Sequence, residues 1–152
     1  MAGGGSPPPA SLSEGHRDRI TSLLSEMTLR EKVGQLNLVN GHGGHIRDDL
    51  AGAVRAGEVG AVLNEVDVGT VNHLQHMAVH ESRLGIPLLI GRDVIHGFRT
   101  IFPIPLGQAA SWDPELVREG ARIAALEAAR AGVNWTRTRR FNTRRSCGSW
   151  SN

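Results

Sequence analysis

Short apolar runs alternate with helical stretches along this 152-residue chain, and that alternation leaves few folds open. Ile86-Pro-Leu-Leu-Ile90 is the clearest run, apolar throughout, as a strand buried in a parallel sheet is. Val59-Gly-Ala-Val-Leu63 has the same character, and Gln35–Val39 and Val133–Thr136 bring the predicted strands to four. Residues 46–56 read as a helix with Ile46, Leu50, Ala53 and Val54 on one side and Gly57 as its terminator. Residues 70–82 turn Val71, Leu74 and Ala78 inward, with Met77 beside them. Asp113-Pro114-Glu115 combines a cap, a proline at the first helical position and an early acid, and the helix it starts continues to Ala131 and stops at Gly132. Strand–helix alternation of this kind argues for parallel βα units, in a doubly wound sheet or in part of a barrel.

Ahead of these units, residues 1–15 form a lead-in rich in Gly, Pro, Ser and Ala. Helical patterning begins near Glu14, with Ile20, Leu23, Leu24 and Met27 spaced as one apolar stripe. Thr28-Leu-Arg-Glu31 has the spacing of a capping box, in which hydroxyl and carboxylate each take the other residue's backbone N–H.

Composition removes several function classes. The formal charge of +2 hides an asymmetry, because residues 137–152 carry five arginines and no acid. Residues 1–136 hold 12 basic and 15 acidic side chains, so the body is net −3 and the basic character belongs to the tail. A nucleic-acid function inferred from the overall charge would therefore be misplaced. One cysteine, Cys147, excludes an internal disulfide framework or a multi-cysteine zinc site. No uncharged run reaches membrane-spanning length. The opening residues carry neither a basic start nor an apolar h-region, which reads as cytoplasmic for the sequence as it stands.

Asp93 is the leading candidate for chemistry. It follows the Ile86–Ile90 run, and in parallel βα folds the ligand site lies at the carboxyl ends of the strands. A carboxylate there can accept two hydroxyl hydrogen bonds. The competing reading is a loop aspartate that pairs with Arg92 or Arg99, or caps a turn. His96, three residues on, reads as a structural histidine bonded to backbone, against a pocket-lining role. His73, His76 and His80 fall on one predicted helix, where His76 and His80 have i,i+4 metal-ligand spacing. Glu81 lies on another face, so a solvated surface is the better reading and no metal is expected. His42 and His45 in the Gly41–His45 loop are read the same way. Glu127 shares a helical face with Leu116, Gly120 and Ile123 and must be paired there, so a tether to backbone or to an arginine is expected rather than catalysis.

Several stretches together resemble the N-terminal domain of glycoside hydrolase family 3, the β-glucosidase type. They are Leu23–Gln35, Gly57–Asn64, Ser82–Pro87, Asp93-Val-Ile-His-Gly97, Thr100-Ile-Phe-Pro103, Leu106–Trp112 and Glu127–Trp135. In order and spacing they cover residues 16–136. The resemblance implies a partial TIM-like (β/α)8 barrel, its first half only. It also implies that Asp93 binds hydroxyls of the non-reducing terminal sugar of a β-glucoside. Family members are retaining enzymes in which one carboxylate attacks the anomeric carbon and another serves as acid, then base. No cofactor is implied.

After Asn134-Trp135-Thr136 the pattern is replaced by RTRRFNTRRSCGSWSN, which reads as an out-of-frame continuation. The family's nucleophile and acid/base would lie beyond this point, and no acid follows Glu127. The chain is thus expected to be an N-terminal fragment of a retaining exo-glycosidase that hydrolyses terminal β-linked glucose, and to be inactive by itself. The carbohydrate substrate is the expected partner, with neither nucleic acid nor membrane. The parent enzyme is expected to be periplasmic or secreted. The rival is a non-enzymatic polyanion-binding protein that engages its partner through the basic tail.

Overall fold

The computed structural model describes residues 13–136, so the basic tail and Cys147 lie outside the described residues. In chain order the elements are α1 (Glu14–Glu26), α2 (Leu29–Gly34), β1 (Leu38–Asn40), α3 (Asp48–Arg55), β2 (Ala61–Leu63), α4 (Val68–His76), β3 (Leu89–Arg92), α5 (Pro105–Ala109), α6 (Pro114–Arg130) and β4 (Trp135–Thr136). The four strands form one sheet in the order β1-β2-β3-β4, every pair parallel. Sequential parallel strands joined by helices are the arrangement of one half of a (β/α)8 barrel. The expected fold class holds.

Each predicted strand is present but starts later than its apolar run. The delay in β3 has a visible cause. Pro87 has no N–H to give, and the Gln75 side chain brackets Leu88 by donating to its carbonyl at 2.8 Å and accepting from its N–H at 3.0 Å. The ladder therefore opens at Leu89. Asn134 does something similar for β4: its Oδ1 accepts the Ile90 N–H at 2.7 Å in place of a backbone carbonyl, while its own N–H bonds the Ile90 carbonyl at 3.1 Å.

Helix ends follow local chemistry. Thr28 and Glu31 make the capping box in full, with Glu31 taking the Thr28 N–H at 2.8 Å. The helix expected over 46–56 begins instead at Asp48, and Ile46 packs against the core from outside it. The helix expected from residue 70 starts two residues earlier, because Asp67 caps it through the Thr70 N–H. It then passes into one π-helical turn, Met77–Glu81. Gly57 and Gly132 end α3 and α6 with φ of 71° and 85°, a left-handed conformation that glycine adopts without strain.

The core lies between the sheet and α3, α4 and the π turn. Val62 and Ile90 are fully enclosed, and Leu74, Met77, Val54 and Val71 close over them. Full burial of such side chains contributes roughly 1.5–3 kcal/mol each. The α1 stripe finds no such cover: none of the helix's side chains is buried, and only Met27, just past its end, is enclosed.

Candidate functional site

Parallel register decides which residues meet at the carboxyl ends of the strands. Asn40, Leu63 and Gly91 are aligned across β1, β2 and β3, and Gly91 is aligned with Trp135 of β4. The Trp135 ring lies over Gly91, where an added Cβ would sit 2.9 Å from Cε3 and 3.2 Å from Leu63 Cδ1. Glycine is what lets the indole cross the sheet at this level.

Above that layer runs a row of polar side chains. The Asn40 amide donates to the Gly41 carbonyl at 2.8 Å, which turns its Oδ1 toward Asn64. Asn64 donates to that oxygen at 3.0 Å and, through its own Oδ1, accepts Arg92 Nη1 at 3.0 Å. Asn64 reaches both neighbours because its backbone has φ 66°, a left-handed conformation that asparagine tolerates better than most residues. Arg92, Asn64 and Asn40 thus link the ends of β3, β2 and β1.

Asp93 stands one residue beyond β3, next in sequence to Arg92, and is exposed. Among the described residues no ion pair joins it to Arg92 or Arg99. Arg92 is turned to Asn64 instead, and the Arg99 backbone belongs to Glu127. The next residue, Val94, is held by its N–H to Thr136 Oγ1 at the end of β4, at 3.4 Å.

The loop after Asp93 is fastened at two points. His96 Nδ1 lies 2.8 Å from the Phe102 carbonyl, and the Phe102 N–H returns to the His96 carbonyl at 2.8 Å. This is the backbone-bound histidine expected from sequence. Glu127 on α6 accepts the N–H groups of Arg99 and Thr100, both at 2.9 Å, and the Thr100 hydroxyl at 2.6 Å. The Thr100 hydroxyl and then the backbone donors hold its carboxyl below the ordinary glutamate value. Glu127 is a tether, as expected, and an anion at neutral pH rather than a proton donor.

Sequence reasoning missed Glu65. Its carboxylate is 1% exposed and accepts four N–H contacts: Gly44 on both oxygens at 3.1 Å, Val66 at 3.0 Å and Asp67 at 3.1 Å. It pins the glycine loop over the ends of β1 and β2. An acid two residues past an apolar strand, with a glycine-rich loop one unit earlier, is the available signal. His42 and His45 on that loop are exposed, as are His73, His76 and His80. His76 lies 3.3 Å from Glu81 Oε1, and its ring packs on that of His80 at 4.8 Å between centroids. Among the described residues no group of three acids, histidines or cysteines is gathered for a metal, and no helix is long and apolar enough to cross a membrane.

Comparison with known proteins points to one family. The family described as Glycosyl hydrolase family 3 N terminal domain matches residues 28–138. The periplasmic beta-glucosidase of Salmonella typhimurium is 40% identical over 117 residues, which are 77% of this chain and 15% of that protein. Beta-glucosidase C of Emericella nidulans is 32% identical over 140 residues, covering 76% of this chain and 22% of its own length. A mutant beta-glucosidase from Listeria innocua, solved in complex with laminaribiose, superposes with a TM-score of 0.66 at 32% identity, covering 77% of this chain and 18% of that one. The chain therefore spans less than a quarter of the length of each of these relatives.

Proposed function

Since this chain belongs to the glycosyl hydrolase family 3 N terminal domain family, we propose that it supplies the sugar-holding strand ends of a retaining β-glucosidase-type exo-glycosidase. The observation that carries this is the position of Asp93, exposed at the carboxyl end of β3, with no ion pair among the described residues. A carboxylate left open at a strand end is available to accept hydroxyl protons from a terminal sugar.

Retention requires two more carboxyl groups, one to attack the anomeric carbon and one to protonate the leaving oxygen and then activate water. Glu127 and Glu65 do not fill those roles. Each spends its oxygens on N–H or hydroxyl donors of its own chain, which fixes loops and leaves no oxygen poised for a sugar. The two missing groups belong, on this reading, to sequence of the family type downstream of Thr136. The 152 residues by themselves hold a sugar hydroxyl and do not hydrolyse a glycoside. The match that stops at residue 138 also supports reading the arginine-rich tail as an out-of-frame continuation. The name of the Salmonella relative supports a periplasmic parent enzyme.

The test joins residues 28–136 to the downstream part of the Salmonella relative and measures hydrolysis of an aryl β-glucoside. The joined enzyme should turn over, and Asp93→Ala should lower kcat/KM by about 100-fold or more while still forming a glycosyl-enzyme adduct with an activated substrate. Hydrolysis at enzymatic rates by the 152-residue chain alone would sink the proposal, and so would a joined enzyme indifferent to Asp93→Ala.

A further inference from the structure

Arg92 has no role in the reading above, yet the strand ends hold it with some care. Its side chain is half-buried, and among the described residues it joins no ion pair. A guanidinium carries five N–H donors in a rigid fork. One of them, on Nη1, goes to Asn64 Oδ1 at 3.0 Å. No other side-chain bond of Arg92 occurs among the described residues, so donors remain on the side away from Asn64.

The partner is an amide, not an acid, and that choice has a consequence. A carboxylate would take two guanidinium donors in a bidentate pair and cancel the charge. An amide oxygen takes one and leaves the charge in place. The amide is itself oriented: Asn64 must present Oδ1 to Arg92 because its NH2 is committed to Asn40 Oδ1, and Asn40 is fixed by the Gly41 carbonyl. Three strand ends thus set the direction of one guanidinium, next in sequence to the carboxylate of Asp93.

We propose that Arg92 is a sugar-binding residue that donates to a hydroxyl of the same terminal sugar that Asp93 accepts from, and that Asn64 is its positioning residue. A sugar hydroxyl both donates and accepts, so a ring of neighbouring hydroxyls needs both an acceptor and a donor, and Asp93 and Arg92 are consecutive at the end of β3. Asp93 is the acceptor and Arg92 the donor. The proposal rests on the β-glucosidase reading of these strand ends. It adds a specificity determinant: a sugar that lacks the hydroxyl facing Arg92, or has it inverted, leaves a half-buried guanidinium unsatisfied and is rejected.

The probe is methyl β-D-glucoside, titrated against the full 152-residue chain by saturation-transfer NMR. The same variants are read as KM and kcat in the joined enzyme. Arg92→Gln should weaken binding about tenfold, with KM rising more than kcat falls, and Arg92→Lys should recover part of the loss. Asn64→Gly keeps the left-handed backbone and removes only the amide, so it should weaken binding by a smaller factor. Asn64→Gly should add little on top of Arg92→Gln, because the two act through one contact.

Arg92→Gln with wild-type affinity, beside an Asp93→Asn that has lost it, would overturn this proposal and leave the β-glucosidase reading standing. A thermal midpoint that falls in Arg92→Gln without a change in KM would mean that Arg92 only braces β2 against β3, which also overturns it. Absence of glucoside binding by both the chain and the joined enzyme would overturn the parent reading and this proposal together.

Discussion

The first three strands and the fourth βα unit are built on different terms. Between Leu50 and Ile90 the sheet is sealed by α3, α4 and the π turn, and Val62, Ile90, Leu74 and Met77 are all but inaccessible. From Val94 to Thr136 burial is sparse. Helix α6 encloses only Ala124 and Ala128, while Ile101, Ile104, Leu106, Trp112 and Leu116 are all more than half exposed. The second region is held by polar and close-approach contacts instead: Glu127 on the Thr100 turn, Asn134 along β3, Trp135 over Gly91, and Gly132 against Val71. One region is closed by hydrophobic burial and the other by directed contacts. Arg92 and Asp93 sit on the seam between them.

The largest expected effect is the difference in what an apolar truncation costs on each side of that seam. Leu74→Ala removes a side chain that is 1% exposed and should destabilise by about 3 kcal/mol, from lost transfer energy and the cavity left behind. Leu116→Ala removes one that is 62% exposed and should cost less than about 0.5 kcal/mol. Urea unfolding followed by circular dichroism reads both. Equal losses would break the contrast and show α6 to be buried in solution against something.

That contrast also explains what the sequence could show. Burial by apolar runs is periodic, so the three enclosed strands, their helices and the parallel α/β class are readable from spacing. The Asn64 bond to Arg92 is not, because it depends on cross-strand register and on one left-handed residue, and neither leaves a periodic trace. Strand starts depart from the apolar runs where side-chain amides replace ladder partners, as Gln75 does for Leu88. The Glu127 tether was readable because a carboxylate on an apolar stripe demands a partner, although the stripe proved thinly covered, with Leu116 in solvent. Asp93 stood out through its place after β3. The amide on which Arg92 leans became visible only with the strands side by side.

An acid titration separates the two regions next, because each holds a carboxylate clamp whose hydrogen bonds lower its carboxyl pKa. In the first, the Arg83 guanidinium and the Thr28 backbone N–H lower the Glu31 carboxyl from 4.5 to about 2. In the second, Thr100 and then Arg99 lower that of Glu127. A depressed folded-state value means the clamp's contribution is complete above the unfolded value of 4.5 and is lost as pH falls through the folded one. For Glu31 that window runs from pH 4.5 down to about 2. Hydrogen exchange should show the Arg99 and Thr100 amides opening as pH falls below 4.5, while the amides of Val62 and Ile90 in the sealed core stay protected. Glu127→Ala should open the same two amides at neutral pH and remove their acid dependence. If the core amides exchange together with the Thr100 turn, the two regions form one cooperative unit and the contrast fails.

The smallest expected effect concerns the most exposed aromatic of the second region. Trp112 is 92% exposed and has φ 52°, a left-handed backbone that costs a residue with a Cβ roughly 1–2 kcal/mol. It directly precedes Asp113, the cap of α6, whose Oδ1 accepts the N–H groups of Glu115 and Leu116 at 3.0 Å, so the turn cannot relax without loosening that cap. Glycine adopts this conformation freely but has more unfolded-state entropy to lose, which offsets part of the gain. Trp112→Gly in the 152-residue chain should therefore raise stability by only about 0.5 kcal/mol, read as a rise of a few degrees in thermal midpoint. A loss of 1 kcal/mol or more would mean that the indole is covered in solution, and that the second region closes by burial after all. The same substitution in the joined enzyme separates the cases: a gain there as well keeps Trp112 in solvent, whereas a loss confined to the joined enzyme assigns the indole to a surface that the downstream sequence covers.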